Sequence, residues 1–162
     1  GLHATRSHCT NNYGPRQHAE KLIPTVLRAA LGGGAIPIYG DGSNLRDWLY
    51  VADHCRALDL IVRKAERGAA YNIAGRAESS NLDLARRICD LLDRAAPKAD
   101  GHPHATAIEM VADRKGHDHR YAIDTSRIER DFAFVPRETI ESGLQRTLPA
   151  YLAELRTLAP IV

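Results

Sequence analysis

The chain has 162 residues, which is enough for one domain, and 44% apolar with 26% charged residues is an ordinary globular composition. Its net charge is only +2 and its basic and acidic residues are interspersed, which argues against nucleic acid or a membrane surface as a partner. No run approaches the roughly 20 apolar residues of a membrane span, and the N-terminus lacks a signal-peptide core. Three cysteines without a Cys-x-x-Cys pair favour buried thiols in a reduced, cytoplasmic protein.

Strand and helix patterns alternate along the first half of the chain. The expected elements are, in order, a strand in 2–9, a helix over 20–31, strands at 36–39 and 48–51, a helix over 51–66 and a strand at 70–73. Glycines at 32–34 end the first helix, and Gly68 ends the second. In the second helix we expect Leu58, Ile61 and Val62 to point into the core.

The second half is richer in helix. The expected elements are a helix capped by Asn81 that ends before Pro97, a strand in 106–111, a short helix capped by Asp124 or Thr125, and a last helix from near Thr139 whose apolar face includes Leu144, Leu148, Tyr151 and Leu155. Pro149 lies inside that last helix, where proline costs about 3 kcal/mol or kinks the helix. Strands that alternate with helices predict an α/β fold.

Two neighbouring asparagines follow the first strand, in Asn11-Asn12-Tyr13-Gly14-Pro15. Each side-chain amide both donates and accepts, which suits sugar hydroxyls and a carboxamide. The alternative is an Asx turn followed by a second turn at Gly14-Pro15. The string Glu-Lys-Leu-Ile-Pro follows at 20–24.

Two further strings have side chains suited to a nucleotide: Pro-Ile-Tyr-Gly-Asp-Gly at 37–42 and Arg-Asp-Trp-Leu-Tyr-Val at 46–51. Tyr39 offers an aromatic face and a hydroxyl to a flat pyrimidine. Arg46 can give a diphosphate bidentate, charge-assisted bonds that lysine cannot match. The plain alternatives are a strand that leads into a tight turn and a surface arginine paired with Asp47.

Two histidine pairs raise metal binding as a competing interpretation. His102 and His104, and again His117 and His119, have a His-x-His spacing. Zinc sites usually need four ligands, and no cysteine pair supports either spacing. We therefore predict exposed loop histidines and no metal site.

Asn72 and the string Asp-Arg-Lys-Gly-His-Asp-His-Arg-Tyr at 113–121 complete the set of polar segments. In order and spacing, this set resembles the substrate-binding half of the dTDP-glucose 4,6-dehydratases. That family consists of extended short-chain dehydrogenases/reductases of the NAD-dependent epimerase/dehydratase group. The resemblance covers residues 1 to about 155 and implies an α/β fold, the C-terminal part of a Rossmann-type enzyme with its smaller substrate-binding domain. Residues 1–9 and 69–74 would be remnants of the Rossmann sheet. Lys115 stands where the family has proline, which frees the backbone of the loop.

The resemblance also implies a set of site residues. The substrate-binding residues would be Asn11, Lys21, Leu22, Pro37, Ile38, Tyr39, Arg46, Asn72, Asp113, Arg114 and His117. Asn12 would contact NAD. Arg46 and Arg114 would converge on one diphosphate, in a cleft shared with Tyr39 and Asn72.

The family's reaction oxidises the sugar at C4, eliminates water across C5–C6 and returns the hydride to C6. The sequence has no Gly-rich dinucleotide fingerprint and no Tyr-x-x-x-Lys pair, so no catalytic residue is assigned and the chain alone is expected to be inactive. The implied partners are a dTDP-sugar, NAD in the complete enzyme and a second copy in a homodimer. The alternatives are a non-catalytic nucleotide-sugar-binding module and half of a UDP-sugar dehydratase or decarboxylase.

Overall fold

The computed structural model describes residues 2–158, with side chains as far as Glu154, so the expectation for Leu155 lies outside the described side chains. The strands are β1 (Arg6–Cys9), β2 (Asn11–Tyr13), β3 (Ile36–Tyr39), β4 (Leu45–Tyr50), β5 (Ala70–Ile73), β6 (Glu78–Ser80), β7 (Ile108–Val111) and β8 (Arg120–Tyr121). The helices are α1 (Leu22–Leu31), α2 (Val51–Lys64), α3 (Asn81–Ala95), α4 (Ser126–Phe132) and α5 (Ile140–Leu158), with a 3-10 turn at His104–Ala107. Within this range no helix has the length and apolarity needed to span a membrane.

The strands form three small sheets in which most neighbours run parallel. β1 pairs with β5 in one sheet, and β3 pairs with β7 in another. β4 is the centre of the largest sheet: its second half pairs with β2, and its first half pairs with β6 and β8. Parallel strands linked by helices confirm the predicted α/β fold.

Two apolar clusters hold the helices on these sheets. In the larger cluster α1, α3 and α5 pack together through residues that include Leu27, Ile88 and Leu148. The smaller cluster joins α2, β5 and α4, with Ile61 and Ile73 at its centre. Each of these side chains is at most 4% exposed, and full burial of such a side chain is worth about 1.5–3 kcal/mol.

A buried carboxylate joins the β1–β5 sheet to the β4 sheet. Asp47 on β4 is 3% exposed and accepts hydrogen bonds from the Thr10 hydroxyl and from the backbone N–H groups of Gly75 and Ala77, each at 2.6 Å. Thr10 lies between β1 and β2, and Gly75 and Ala77 follow β5. Three charge-assisted bonds offset the cost of removing the carboxylate from water.

The backbone at Gly75 is packed directly against β4. A Cβ atom at this position would lie 1.8 Å from the carbonyl oxygen of Trp48, so no side chain is tolerated there. The small residue lets the segment after β5 come close enough to β4 for Asp47 to accept its N–H groups.

Two contacts fix the N-terminal end of α5. Asp53 on α2 is 3% exposed and accepts from the backbone N–H groups of Arg137 and Glu138, both at 2.9 Å, and from the Arg56 guanidinium at 2.8 Å. The buried Tyr13 hydroxyl donates to the carbonyl of Thr139 at 3.3 Å, and burial raises the pKa of that hydroxyl well above its usual value.

The structure corrects several local predictions. Val62 is 81% exposed, because it faces away from the buried stripe of α2 that contains Ala57 and Ile61. Ser80, and not Asn81, is the N-cap of α3, since its hydroxyl accepts from the Asp83 N–H at 3.0 Å. Cys55 is exposed rather than buried.

Some element bounds also shift from the predicted ones. β4 begins at Leu45, three residues before the predicted strand, because its first half pairs with β6. The strand expected at 106–111 begins as the 3-10 turn, and only Ile108–Val111 is extended. α1 and α2 are each two residues shorter than predicted, at the start and at the end respectively.

We expect Asp47→Ala to lower the free energy of unfolding by at least about 3 kcal/mol, because three buried donors lose their acceptor and each costs about 1–3 kcal/mol. Urea unfolding followed by circular dichroism measures the change. Asp59→Ala is the matched control, because Asp59 is an exposed residue of α2 that pairs with Arg63. A loss of less than about 1 kcal/mol in Asp47→Ala would show that the carboxylate does not hold the sheets together.

Candidate functional site

The segment between β7 and β8, residues 112–119, runs alongside the start of β4, and we call it the 112–119 loop. The Leu45 N–H donates to the carbonyl of His119 at 2.8 Å. The buried Asn44 donates from Nδ2 to the carbonyl of Asp118 at 3.2 Å. The C-terminal end of the loop is therefore fixed to the residues that begin β4.

Arg46 also holds the C-terminal end of the 112–119 loop through hydrogen bonds. Its Nη2 donates to the Asp118 carbonyl at 2.6 Å, and its Nη1 donates to the carbonyls of Leu45 and His119 at 2.7 and 3.4 Å. Among the side chains that the structure describes, as far as Glu154, the Arg46 guanidinium bonds only to carbonyl oxygens, and Asp47 is engaged by Thr10, Gly75 and Ala77. The guanidinium charge is thus held by neutral carbonyls and stays available to attract an anion.

The other end of the loop forms a chain of side chains that reaches β3. The Arg114 guanidinium lies over the Tyr39 ring, 5.1 Å from Cζ to the ring centroid. His117 Nε2 is 3.1 Å from Arg114 Nη2, and His117 Nδ1 is 2.7 Å from Asp113 Oδ1. The hydrogen bond from His117 holds the pKa of the Asp113 carboxyl below its usual value.

Arg46 and Arg114 therefore contact successive parts of one loop. Arg46 holds the carbonyls of Asp118 and His119, and Arg114 contacts the ring of His117. Tyr39, 42% exposed, adds an aromatic face beside Arg114. Two arginines and one aromatic ring are chemically suited to a pyrimidine diphosphate.

Asn12 presents an unsatisfied acceptor. Its Nδ2 donates to Cys9 Sγ at 3.1 Å and to the Thr10 carbonyl at 3.2 Å, which fixes the orientation of the amide. Its Oδ1 is buried and has no partner in the described part of the chain. Gln17 donates to the Asn12 carbonyl at 2.7 Å and also has a buried, unpartnered Oε1. Gln17 was not predicted, because only the folded loop brings its amide to Asn12.

The remaining predicted site residues lie at several places. Asn72 is on β5, where its Nδ2 donates to the Asp124 carbonyl at 2.9 Å. Lys21 is exposed at the N-cap of α1, followed by the half-buried Leu22. Asn11 and Pro37 are half-buried on β2 and β3. Ile38 is 1% exposed, so its side chain belongs to the core and only its backbone can face a ligand.

The histidines require two corrections, and the first is that the side chain of His117 is only 5% exposed. His104 is not an exposed loop residue: it is 2% exposed, and its Nδ1 lies 2.6 Å from Asp93 Oδ1, which ties the 3-10 turn to α3. Among the residues that the structure describes, no cluster of three or more histidine, cysteine or acidic side chains is arranged to hold a metal ion.

Two cavities among the described residues lie elsewhere. One of about 630 Å³ is lined by residues that include Tyr71 and Arg127, and one of about 390 Å³ by residues that include Gly75 and Arg137. The predicted cleft with Arg46, Arg114 and Asn72 coincides with neither of them. The candidate site is an exposed surface between β3, β4 and the 112–119 loop.

Comparison with known proteins gives consistent matches. The family model of GDP-mannose 4,6 dehydratase matches residues 1–147. The dTDP-glucose 4,6-dehydratase of Salmonella typhimurium is 50% identical over 153 residues, which are 94% of this chain and 42% of that protein. The chain therefore spans less than half the length of this relative.

Solved structures agree with this match. The dTDP-glucose 4,6-dehydratase of Bacillus anthracis, in complex with NAD, has a TM-score of 0.81 and 39% identity, over 94% of this chain and 45% of that one. DesIV, the dTDP-glucose 4,6-dehydratase of Streptomyces venezuelae, also with NAD bound, has a TM-score of 0.84 and 38% identity, over 99% of this chain and 47% of that one.

We expect Arg46→Ala to release the 112–119 loop, since two hydrogen bonds from the guanidinium to the loop carbonyls of Asp118 and His119 are lost. Hydrogen–deuterium exchange of the peptides that contain 112–121 measures the release, and each lost bond is worth about 0.5–1.5 kcal/mol. Arg63→Ala is the control, because Arg63 is exposed on α2 and pairs only with Asp59 in the described structure. Unchanged exchange in Arg46→Ala would show that β-pairing alone holds the loop.

Proposed function

The chain belongs to the GDP-mannose 4,6 dehydratase family, and from that premise we propose that it is the substrate-binding portion of a dTDP-glucose 4,6-dehydratase. In this proposal the chain binds the dTDP part of the sugar nucleotide and has no dehydratase activity alone. The resemblance predicted from the ordered sequence strings is confirmed by the 50% identity to the Salmonella protein.

The arrangement around the 112–119 loop is the observation that carries the proposal. β3 supplies Tyr39, β4 supplies Arg46, and the loop itself supplies Arg114 and His117. We assign the diphosphate to the two arginines, because paired guanidinium forks neutralise and orient it. We assign the base to the exposed ring of Tyr39 and the strand backbone next to it.

In the same proposal Asn12 is the contact of this chain with NAD in the complete enzyme. Its buried, unpartnered Oδ1 fits an N–H donor such as a carboxamide. When bound, NAD supplies the hydride acceptor at its nicotinamide ring. The oriented amide of Asn12 would then fix the carboxamide end of that ring.

The β1–β5 sheet supports the proposal that a further Rossmann portion completes the enzyme. It has two strands in the described structure, so each has one edge without a partner strand. Open edges favour pairing with other strands. We propose that residues 1–9 and 69–74 continue a larger parallel sheet in the complete enzyme, which we expect to be a homodimer.

The first test is binding of dTDP to the 162-residue chain by isothermal titration calorimetry. We expect Arg114→Ala to weaken binding about tenfold or more, because a charge-assisted contact is worth about 1.5–3 kcal/mol. Arg63→Ala, which removes the same charge from an exposed site on α2, should leave binding within a factor of two. Tighter binding of UDP than of dTDP would favour a UDP-sugar enzyme, and no binding of either nucleotide would contradict the assignment.

The second test concerns autonomy. Because of the open edges of β1 and β5, we expect the chain to self-associate at high concentration when expressed alone and to gain solubility when co-expressed with the N-terminal Rossmann half of a dTDP-glucose 4,6-dehydratase. Analytical ultracentrifugation and a dTDP-glucose turnover assay measure both properties. A monomer that unfolds cooperatively would favour an autonomous binding module. Turnover by the chain alone would contradict its proposed inactivity.

A further inference from the structure

The contact between Arg114 and His117 indicates where the proton on the histidine ring lies. A guanidinium has only donors, so His117 Nε2, 3.1 Å from Arg114 Nη2, must act as an acceptor and carry no proton. The ring proton is then on Nδ1, which lies 2.7 Å from Asp113 Oδ1. The geometry therefore requires a neutral His117 that donates to Asp113 and accepts from Arg114.

We propose that Asp113 is a positioning residue that fixes the ring and tautomer of His117, and through it holds Arg114 over Tyr39 in the orientation used for the nucleotide diphosphate. The use of Arg114 for a nucleotide diphosphate rests on the proposed function. This role differs from the direct substrate contact that family resemblance suggests for Asp113.

Electrostatics favours the indirect role. A carboxylate repels a diphosphate, so direct contact between Asp113 and the ligand would weaken binding. Asp113 Oδ1 is moreover already engaged by His117 Nδ1 and by the Arg114 N–H at 2.8 Å. The His117 side chain is 5% exposed, and its ring lies between Asp113 and Arg114 rather than in solvent. Arg114, in contrast, uses one guanidinium donor for His117 among the described residues, which leaves its other donors there for a ligand.

The turn after β3 contributes to the same arrangement. Gly40 has φ +61°, and a Cβ atom there would lie 3.1 Å from the Asp113 carboxylate. The absence of a side chain lets the carboxylate lie against the β3 turn. Tyr39, the residue before Gly40, provides the ring over which the Arg114 guanidinium lies. Two elements therefore set the position of Arg114: the Asp113–His117 pair from the loop and the aromatic ring from β3.

The test uses the 162-residue chain labelled with ¹⁵N, at a pH near 8. Two-bond ¹H–¹⁵N spectra report the His117 tautomer, and calorimetry reports dTDP affinity. We expect the Nδ1–H form in the wild type, a shift to the Nε2–H form in Asp113→Ala, and about two- to tenfold weaker dTDP binding in that variant. Asp113→Asn keeps an acceptor of the same shape and should retain the Nδ1–H form in part.

Glu109→Gln is the matched control. It removes an exposed carboxylate from β7, the strand that precedes the 112–119 loop, and should change neither the tautomer nor the dTDP affinity. An unchanged tautomer in Asp113→Ala would overturn the positioning role, as would a changed tautomer with unchanged dTDP affinity. If Asp113→Ala loses its dispersed spectrum, Asp113→Asn decides: a partial shift to the Nε2–H form with weaker dTDP binding supports the positioning role, and an unchanged tautomer with unchanged affinity overturns it. If the wild type binds no dTDP, the proposed function fails, and so does the proposal that Asp113 orients Arg114 for the nucleotide. The tautomer alone then decides whether Asp113 positions His117.

Discussion

The buried carboxylate of Asp47 is the constraint on which the rest of the structure depends. It gathers Thr10, Gly75 and Ala77, three groups that follow two different strands of the β1–β5 sheet, onto the middle of β4. A buried charge with this many donors is stable only in one arrangement, because losing any donor exposes it to a large desolvation cost. The carboxylate therefore sets the position of one sheet relative to the other.

The candidate site depends on that arrangement through β4. The residues just before Asp47 hold the C-terminal end of the 112–119 loop: Arg46 through its side chain and Leu45 through its N–H. The N-terminal end of the loop is held by β7, which pairs with β3 up to Tyr39 and Val111. A loop fixed at both ends by sheets can present Arg114 in a defined place, with little ordering cost on binding.

Sequence patterns predicted the elements and the family well. The strands Ile36–Tyr39 and Ala70–Ile73 were predicted at their observed bounds, because short apolar runs between turn residues leave little freedom. The burial of Asp47 and of His104 was missed, since a partner such as Thr10 or Asp93 is visible only after folding. For the site, the string at 113–121 suggested ligand contacts but could not show that its histidine joins its aspartate to its arginine, because that depends on the path of the loop.

The position of the nucleotide is tested most directly by mapping dTDP on the ¹⁵N-labelled chain by chemical-shift perturbation. We expect the largest changes on Tyr39, Arg46 and the 112–119 loop, with the Trp48 indole and α2 little affected. Changes concentrated instead around Tyr71 and Arg127, where the cavity of about 630 Å³ lies, would place the nucleotide on another surface and contradict a nucleotide site at the 112–119 loop.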